Sequence, residues 1–411
     1  MRAAVIGAGP SGFFVAGELL KRCPGCEVHL YDKRIAPYGL VRYGVAPDHL
    51  LTRRAIKMFD QIADHGRFHY FGNVEIGRDV ALSDIISTYH AVVVCTGAEK
   101  PNRPEVPGAR LRGAVDALDL ARWANGEPDA FDPALLDGVD TAVIIGHGNV
   151  ALDAARLLMR PACDWVATDI APHAMEVLIH HRLKRIVLAG RRGSSETSFT
   201  EAEWEEAIAL PGWQVHIEGE PPFGPRPEKP AADRSLDVRF HLRPVCLLGG
   251  DRVVGVRFSH AQNGATVEVP ASLVIFATGH RGVPLDGLPF DATTGTVPHS
   301  KGAVSSLPGV YVCGWIKRGA KGLIGVNRKD AIETVVRLLE DRDILSARLP
   351  ESKNWRETLT RRGVRVVSWT DWKKLDAMEE QRGASVGRPR VNFTRDEALA
   401  RLAEADAAAG A

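Results

Sequence analysis

No stretch of this chain approaches the ~18 uninterrupted apolar residues that a membrane-spanning helix requires, and none is expected. The opening run, MRAAVIGAGPSGFFVAGELL, has the outline of a signal peptide, but glycines, Pro10 and Glu18 interrupt it and no small-residue cleavage site follows. A cytoplasmic protein is therefore expected. Strong charge of either sign is also missing: 52 Lys and Arg against 51 Asp and Glu leave a net +1. That balance offers no global field for nucleic acid or an anionic membrane, so neither is an expected partner, and any basic patch must be local. Cysteine is sparse, with six residues, and no Cys/His group has the spacing of a zinc site, so no metal is expected. The one formal CxxC, Cys23-Pro24-Gly25-Cys26, follows the helix that opens at Gly12, roughly 15 Å from its N-terminus at 1.5 Å per residue. Reactive CxxC thiols draw a low pKa from a helix N-terminus; at a C-terminus the pair reads as a turn with two idle thiols.

What is present is a multidomain globular composition. At 411 residues the chain is too long for one ordinary core and predicts two or three domains. The same unit then occurs twice. Ala3-Ala4-Val5-Ile6 leads into Gly7-Ala8-Gly9-Pro10-Ser11-Gly12, a helical pattern and a second apolar run, Val28-His29-Leu30-Tyr31, ending in Asp32. Asp32 lies 20 residues after Gly12, the spacing at which a carboxylate meets the ribose hydroxyls of a bound dinucleotide. In this pattern Gly7 makes the turn, Gly9 lets backbone approach the pyrophosphate, and Gly12 packs helix on strand. The helix N-terminus holds the anion. At Ala142-Val143-Ile144-Ile145 the pattern restarts with Gly146-His147-Gly148-Asn149-Val150-Ala151, the third glycine now alanine. Its next strand, Ile186-Val187-Leu188-Ala189, ends in Gly190-Arg191-Arg192-Gly193 rather than an acid. Two arginines there suit a 2′-phosphate, so the second site reads as NADP(H); the plain alternative is a solvated turn. His173, His180 and His181, in the insertion between, read as helix-surface residues.

Two buried-strand runs, Val92–Gly97 and Val274–Gly279, end in Thr-Gly and mark the closing strands of the two units. Pro- and Gly-rich stretches at 98–110 and 281–303 read as the crossover and the return. The expected architecture is α/β: two doubly wound, Rossmann-like dinucleotide-binding domains, the NADP(H) domain (106–303) inserted into a discontinuous FAD domain (1–105 and 304–411). An antiparallel meander is expected around 236–270, and a charged, alanine-rich surface helix after about 385.

Just after Asp32 comes Pro37-Tyr38-Gly39-Leu40-Val41-Arg42-Tyr43-Gly44-Val45-Ala46-Pro47-Asp48-His49. This run closely resembles the adrenodoxin reductase family of ferredoxin–NADP(+) reductases. The resemblance continues through Gly72–Val80, His147–Asp153, Gly190–Gly193, Gly314-Trp315-Ile316-Lys317-Arg318-Gly319 and Arg388-Pro389-Arg390, and so spans nearly the whole chain. The run ending at His49 is highly specific; the glycine fingerprints are shared much more widely. Many relatives end the second flavin motif in Gly-Asp; here Trp315 follows Gly314, which resembles the family's own variant and places Trp315 beside the flavin, with a core tryptophan as the alternative.

The resemblance implies FAD contacts from Gly7, Gly9, Ser11, Gly12, Asp32, Gly39, Leu40, Val80, Gly97, Gly314, Trp315 and the Gly322-Leu323-Ile324 backbone. It implies NADP(H) contacts from Gly146, His147, Gly148, Asn149, Val150, Arg191, Arg192, Glu203 and Gly322. His49, Asp153 and Glu203 take the candidate catalytic positions, as polar groups shaping the nicotinamide pocket. His49 could equally be structural, and Asp153 a complement to the helix dipole. His147 and Lys321 depart from the family pattern, and residues 220–240 look shorter than in mitochondrial members.

The implied activity is hydride transfer from NADPH to FAD, then single-electron delivery to an acidic ferredoxin-type protein, with a cytochrome P450 as a candidate downstream acceptor. A flavin electron-transfer subunit of another enzyme and a non-catalytic NADPH-binding flavoprotein are the alternatives. For docking, the candidate cations are Arg53, Arg54 and Lys57, and Lys317, Arg318 and Lys321 near Trp315.

Overall fold

In the computed structural model, which describes residues 1–224 and 231–410, two parallel sheets dominate. The first has the order Val310–Val312, Ala91–Val94, Arg2–Ile6, Glu27–Tyr31, Phe68–Phe71, and every pairing is parallel. Its central strands are nearly continuous apolar runs, as strands covered on both faces must be. Ala3, Val5 and Val93 join one core with Phe13, Leu19, Val335 and Leu338 from two helices, Pro10–Arg22 and Ile324–Glu340. Ala4, Ile6 and Val94 face the other way, onto Ile76, Val80, Ile85 and Val297. Alternate side chains thus serve opposite layers, the doubly wound arrangement.

The second sheet runs Ala114–Asp116, Leu273–Phe276, Thr141–Ile145, Arg185–Ala189, Ser235–Arg239, Gln214–Ile217, again all parallel. A three-stranded antiparallel sheet, Leu242–Gly249, Val253–His260 and Thr266–Pro270, covers one of its faces through Leu247, Val256 and Phe258. The meander therefore starts at Leu242, not 236: Ser235–Arg239 reads Ser-Leu-Asp-Val-Arg, and its buried Leu236 and Val238 draw it into the parallel sheet instead. The chain ends in a helix, Arg395–Gly410, as its composition indicates.

The two crossings between the lobes touch. Lys100–Pro101 pairs antiparallel with His280–Arg281, and the amide of Asn102 donates to Gly279 O at 2.8 Å. Beyond that ribbon, Leu288 and Val297 bury themselves in the core of the first sheet with Val310 and Val312. Gly/Pro content marks where a chain turns but not which core its few apolar residues join. The lobes are also tied by Arg53, which is buried, donates to Asp169 Oδ2 at 2.8 Å and also bonds Asn125; Asn392 donates to Asn125 O at 3.0 Å. Among the described residues no helix is long and apolar enough to cross a membrane. Residues 225–230, inside the stretch expected to be shortened, lie outside the described residues.

Candidate active site

The first glycine turn follows the strand Arg2–Ile6 and opens the helix Pro10–Arg22, whose N-cap, Gly9, supplies no side-chain hydrogen bond. Its first amides are free for an anion. Gly12 sits where any Cβ would run into Gly7 O, so helix and turn touch backbone to backbone. A Cβ on Gly9 would meet only Gly39 Cα, at 4.0 Å, leaving open the cradle above the helix. Asp32 closes this site: Oδ2 accepts from the Ala8 amide at 2.6 Å and Oδ1 from Arg34 at 2.8 Å. Burial raises its pKa, opposed by the Arg34 guanidinium.

Tyr38 holds the facing loop in place at a price in backbone strain, with φ at +81°. Its hydroxyl donates to Asp60 at 2.6 Å and accepts from Trp372 Nε1 at 3.0 Å, and its amide donates to Ala8 O at 2.7 Å. Gly39 then caps the turn Leu40–Tyr43, with Leu40 partly exposed. Gly97 has a positive φ and open space where a Cβ would stand. Val80 is 1% exposed, its side chain in the core and its carbonyl already accepting from Gly77, so little of it faces outward.

Residues distant in sequence meet at the second flavin motif. Ser11 Oγ lies 3.1 Å from Asn327 Oδ1, and Gly314 (φ +83°) sits so close that a Cβ would overlap Ser11 Oγ. The Gly314 amide donates to Asp330 at 2.5 Å, and Asp330 also binds Lys317 at 2.6 Å and Arg318 at 2.9 Å. A carboxylate from the helix Ile324–Glu340 thus fixes the Gly-Trp turn through the Gly314 amide. Asn327 and Asp330 were not legible as site residues. Trp315 is partly buried, and its Nε1 is an orphaned donor without a hydrogen-bond partner among the described residues. Gly322 precedes the exposed Leu323, which caps the helix Ile324–Glu340 with no side-chain bond. Open cradle, uncapped helices, buried carboxylate and orphaned indole together fit a bound FAD.

The second glycine turn repeats the design. Gly148 caps the helix Asn149–Met159 without a side-chain bond, and a Cβ there would meet nothing within 4 Å. Asn149 Oδ1 accepts from the Thr200 amide at 3.0 Å, and Val150 is exposed beside it. Gly146, with φ at +140°, packs on Ala277. His147 turns inward: its ring lies 5.0 Å from Phe240 and its Nε2 is 3.3 Å from Leu188 O, while burial pushes its pKa down to about 4. Its side chain is packing, leaving its backbone to face a ligand. Arg191 and Arg192 are both exposed and have no ion-pair partner among the described residues. This donor set fits a nucleotide with an extra phosphate.

Between the lobes the structure brings His49, Asp153 and Glu203 together. His49 Nε2 is 2.8 Å from Asp153 Oδ1 and 3.2 Å from Glu203 Oε2. Arg156, 1% exposed, completes the cluster: its Nη1 lies 2.6 Å from His49 Nε2 and 3.0 Å from Glu203, while Nη2 binds Asp48. One Nε2 cannot both donate to a carboxylate and accept from a guanidinium. With two carboxylates in reach, donation wins, and imidazolium and guanidinium lie side by side sharing Asp153 and Glu203. Burial opposes the charged ring, but the hydrogen bonds to Asp153 and Glu203 outweigh it and push the His49 pKa up to about 10. Burial likewise works against the Asp48 carboxylate, and Arg156 and Arg160 overcome it and hold its pKa low. Asp48 and Arg156 were missed by sequence reasoning; the Asp153-x-x-Arg156 spacing, three apart on one helix face, was the available signal.

The docking cations need correction. Arg53 is buried against Asp169, Lys317 is 5% exposed between Asp330 and Glu333, and Arg318 is bound to Asp330. Only Arg54, Lys57 and Lys321 of the six face solvent. The pairing partners of Arg53, Lys317 and Arg318 come from the other lobe or a later helix. Cys23 and Cys26 are buried free thiols, and burial followed by the Cys23 neighbour pushes Cys26 up to about 12.

Two Rossmann-like lobes, each with an uncapped glycine-turn helix, define a pyridine-nucleotide flavoprotein oxidoreductase. Residues 1–198 match the family model described as pyridine nucleotide-disulphide oxidoreductase. The chain is 37% identical to human mitochondrial NADPH:adrenodoxin oxidoreductase over 97% of its own length and 91% of the relative. It is 34% identical to a probable ferredoxin/ferredoxin–NADP reductase of Mycobacterium bovis, covering 95% of this chain and 73% of that one. Mycobacterium tuberculosis FprA in complex with NADPH superposes with a TM-score of 0.89 at 33% identity, over 97% of this chain and 98% of that one. The chain belongs to the NADPH:adrenodoxin oxidoreductase family. It is an oxidoreductase whose cofactors are FAD and NADP(H).

Proposed function

We propose that this protein passes reducing equivalents from NADPH through FAD to a ferredoxin-type iron–sulfur protein, one electron at a time. FAD, when bound, supplies the chemistry, taking hydride and releasing electrons singly. The observation that carries the reading is the asymmetry of the two sites. The first ends in the Asp32 carboxylate, which suits ribose hydroxyls; the second ends in two exposed arginines, unpaired among the described residues, which suit a 2′-phosphate.

The chain's own residues then divide the work. Arg191 and Arg192 fix the phosphate, and the amides at Gly148 and Asn149 face the pyrophosphate of the same nucleotide. The amides of Ser11 and Gly12 and the Asp32 carboxylate would hold the FAD diphosphate and ribose. Ser11, Gly314 and Trp315 would flank the flavin. His49, charged at working pH, holds Asp153 and Glu203 across the lobes and keeps polar groups turned to the nicotinamide pocket. Lobe boundaries near 105 and 280 go with this division, supported by the strand membership of each sheet. Partner docking falls to the exposed Arg54, Lys57 and Lys321, a P450 being one downstream acceptor. Six free cysteines suit a reducing compartment, so we place the protein in the cytoplasm, which cell fractionation tests.

The test of the whole reading is NADPH-dependent cytochrome c reduction with and without an added ferredoxin. It should require the ferredoxin and slow as salt rises to ~0.3 M, where the Debye length falls below ~10 Å. Ferricyanide reduction, which needs no protein docking, should change much less. Equal salt sensitivity in both assays, or reduction that ignores the ferredoxin, would rule out this acceptor.

A further inference from the structure

At the far end of the first sheet a second constellation lies outside the cofactor machinery. Glu27 and His29 are two residues apart on one strand and therefore point to the same face. On the neighbouring edge strand Phe68–Phe71, His69 is the direct partner of His29, and the two rings are 4.9 Å apart, edge to face. One nitrogen of each ring and a carboxylate oxygen of Glu27 lie within 4.8 Å of one another. Neither the His69 ring nitrogens nor the Glu27 carboxylate has a hydrogen-bond or ion-pair partner among the described residues.

His29 is held as a ligand imidazole is held. Its Nδ1 is 2.7 Å from Tyr89 Oη, which in turn is 2.6 Å from the buried Tyr31 Oη. A ring whose one nitrogen is fixed by an outer partner presents the other as a directed lone pair, the usual outer-shell arrangement around a metal-bound histidine. The two nearby cations turn aside to carbonyls: Arg2 to Thr88 O and Glu351 O, each at 3.4 Å, and Arg356 to Tyr70 O at 3.4 Å. Glu27 supplies the balancing negative charge.

We propose that Glu27, His29 and His69 form a surface site for a borderline divalent metal ion of the Zn²⁺ class. Two imidazole nitrogens and one carboxylate are the donors such ions prefer, whereas Mg²⁺ and Ca²⁺ take oxygen. The fourth position is left to water. The site is separate from the flavin: it lies at the amino ends of the strands, ~10 Å from Asp32 along its own strand at ~3.3 Å per residue, while the glycine turns lie at the carboxyl ends. Bound metal pins the edge strand to its neighbour. Sequence spacing does not show the site, because sheet register, not a short motif, brings His69 to His29.

The test is calorimetric titration of chelator-treated, FAD-loaded protein with ZnCl2. One ion per chain should bind saturably and raise Tm. His69→Gln and Glu27→Gln should each weaken binding at least about tenfold, and Tyr89→Phe, which removes the outer partner, about tenfold. Flavin absorbance and NADPH turnover should stay at wild-type levels in His69→Gln, showing an intact fold. Absence of saturable binding, or binding undiminished in both His69→Gln and Glu27→Gln, overturns the proposal. So does binding that disappears only with Glu203→Gln, which would put the ion on the His49 cluster.

Discussion

Replacing Arg191 and Arg192 together with alanine should raise the KM for NADPH and leave NADH alone. Both side chains are exposed and free of ion pairs among the described residues, so a 2′-phosphate displaces no existing partner. A hydrogen bond to a charged group contributes about 1.5–3 kcal/mol, and solvent around this turn draws each arginine toward the lower end. The pair then contributes about 2–4 kcal/mol, which at about 1.4 kcal/mol per decade is a rise of roughly 30- to 800-fold. The phosphate is remote from the reacting carbon and is bound equally before and during hydride transfer, so kcat should hold. Steady-state ferricyanide reduction with NADPH and NADH measures both parameters without a protein partner. An unchanged KM for NADPH, or equal losses with the two nucleotides, would refute the assignment of this turn to the 2′-phosphate.

Three further outcomes are expected. Cys23→Ser with Cys26→Ser should leave turnover unchanged, because a thiol held near pKa 12 at a helix C-terminus is no nucleophile; lost electron transfer with FAD still bound would contradict this. Gly314→Ala should lower FAD occupancy, seen as a reduced flavin-to-protein absorbance ratio, because the left-handed backbone costs about 1–3 kcal/mol and the new Cβ displaces Ser11. The stability gap between wild type and His49→Gln depends on pH: the folded pKa, about 10, is above the ordinary 6.5, so the contribution is complete below about 6.5 and fades toward 10. Tm measured across that range should show the gap closing, and a constant gap would show that His49 is not charged in the fold.

Much of the fold was legible because it rests on local signals. Apolar strand runs, glycine turns and the acid at Asp32 each report on a few neighbouring residues, and the structure places those turns between strand and helix. What escaped depends on distant contacts. Asp330 reaches Gly314 from the following helix, Arg156 gathers Asp48 from the other lobe, and Tyr38 keeps its strained φ through Asp60 and Trp372. The same long-range pairing removed Arg53 and Lys317 from the docking surface, since a cation in a polar stretch looks exposed until its buried partner is known. The return stretch is a related case: Leu288 and Val297 are isolated apolar residues in a Gly/Pro-rich stretch, and only packing assigns them to a core.

The central claim is that NADPH reduces a flavin in this chain and that the electrons leave singly to a protein. Anaerobic titration of the purified, FAD-loaded protein with NADPH, followed by oxidised ferredoxin, tests it most directly. One equivalent of NADPH should bleach the flavin's visible absorbance, NADH should do so far less effectively, and two equivalents of one-electron ferredoxin should restore it. A flavin that stays oxidised with excess NADPH, or a reduced flavin that ferredoxin cannot reoxidise, would contradict the account.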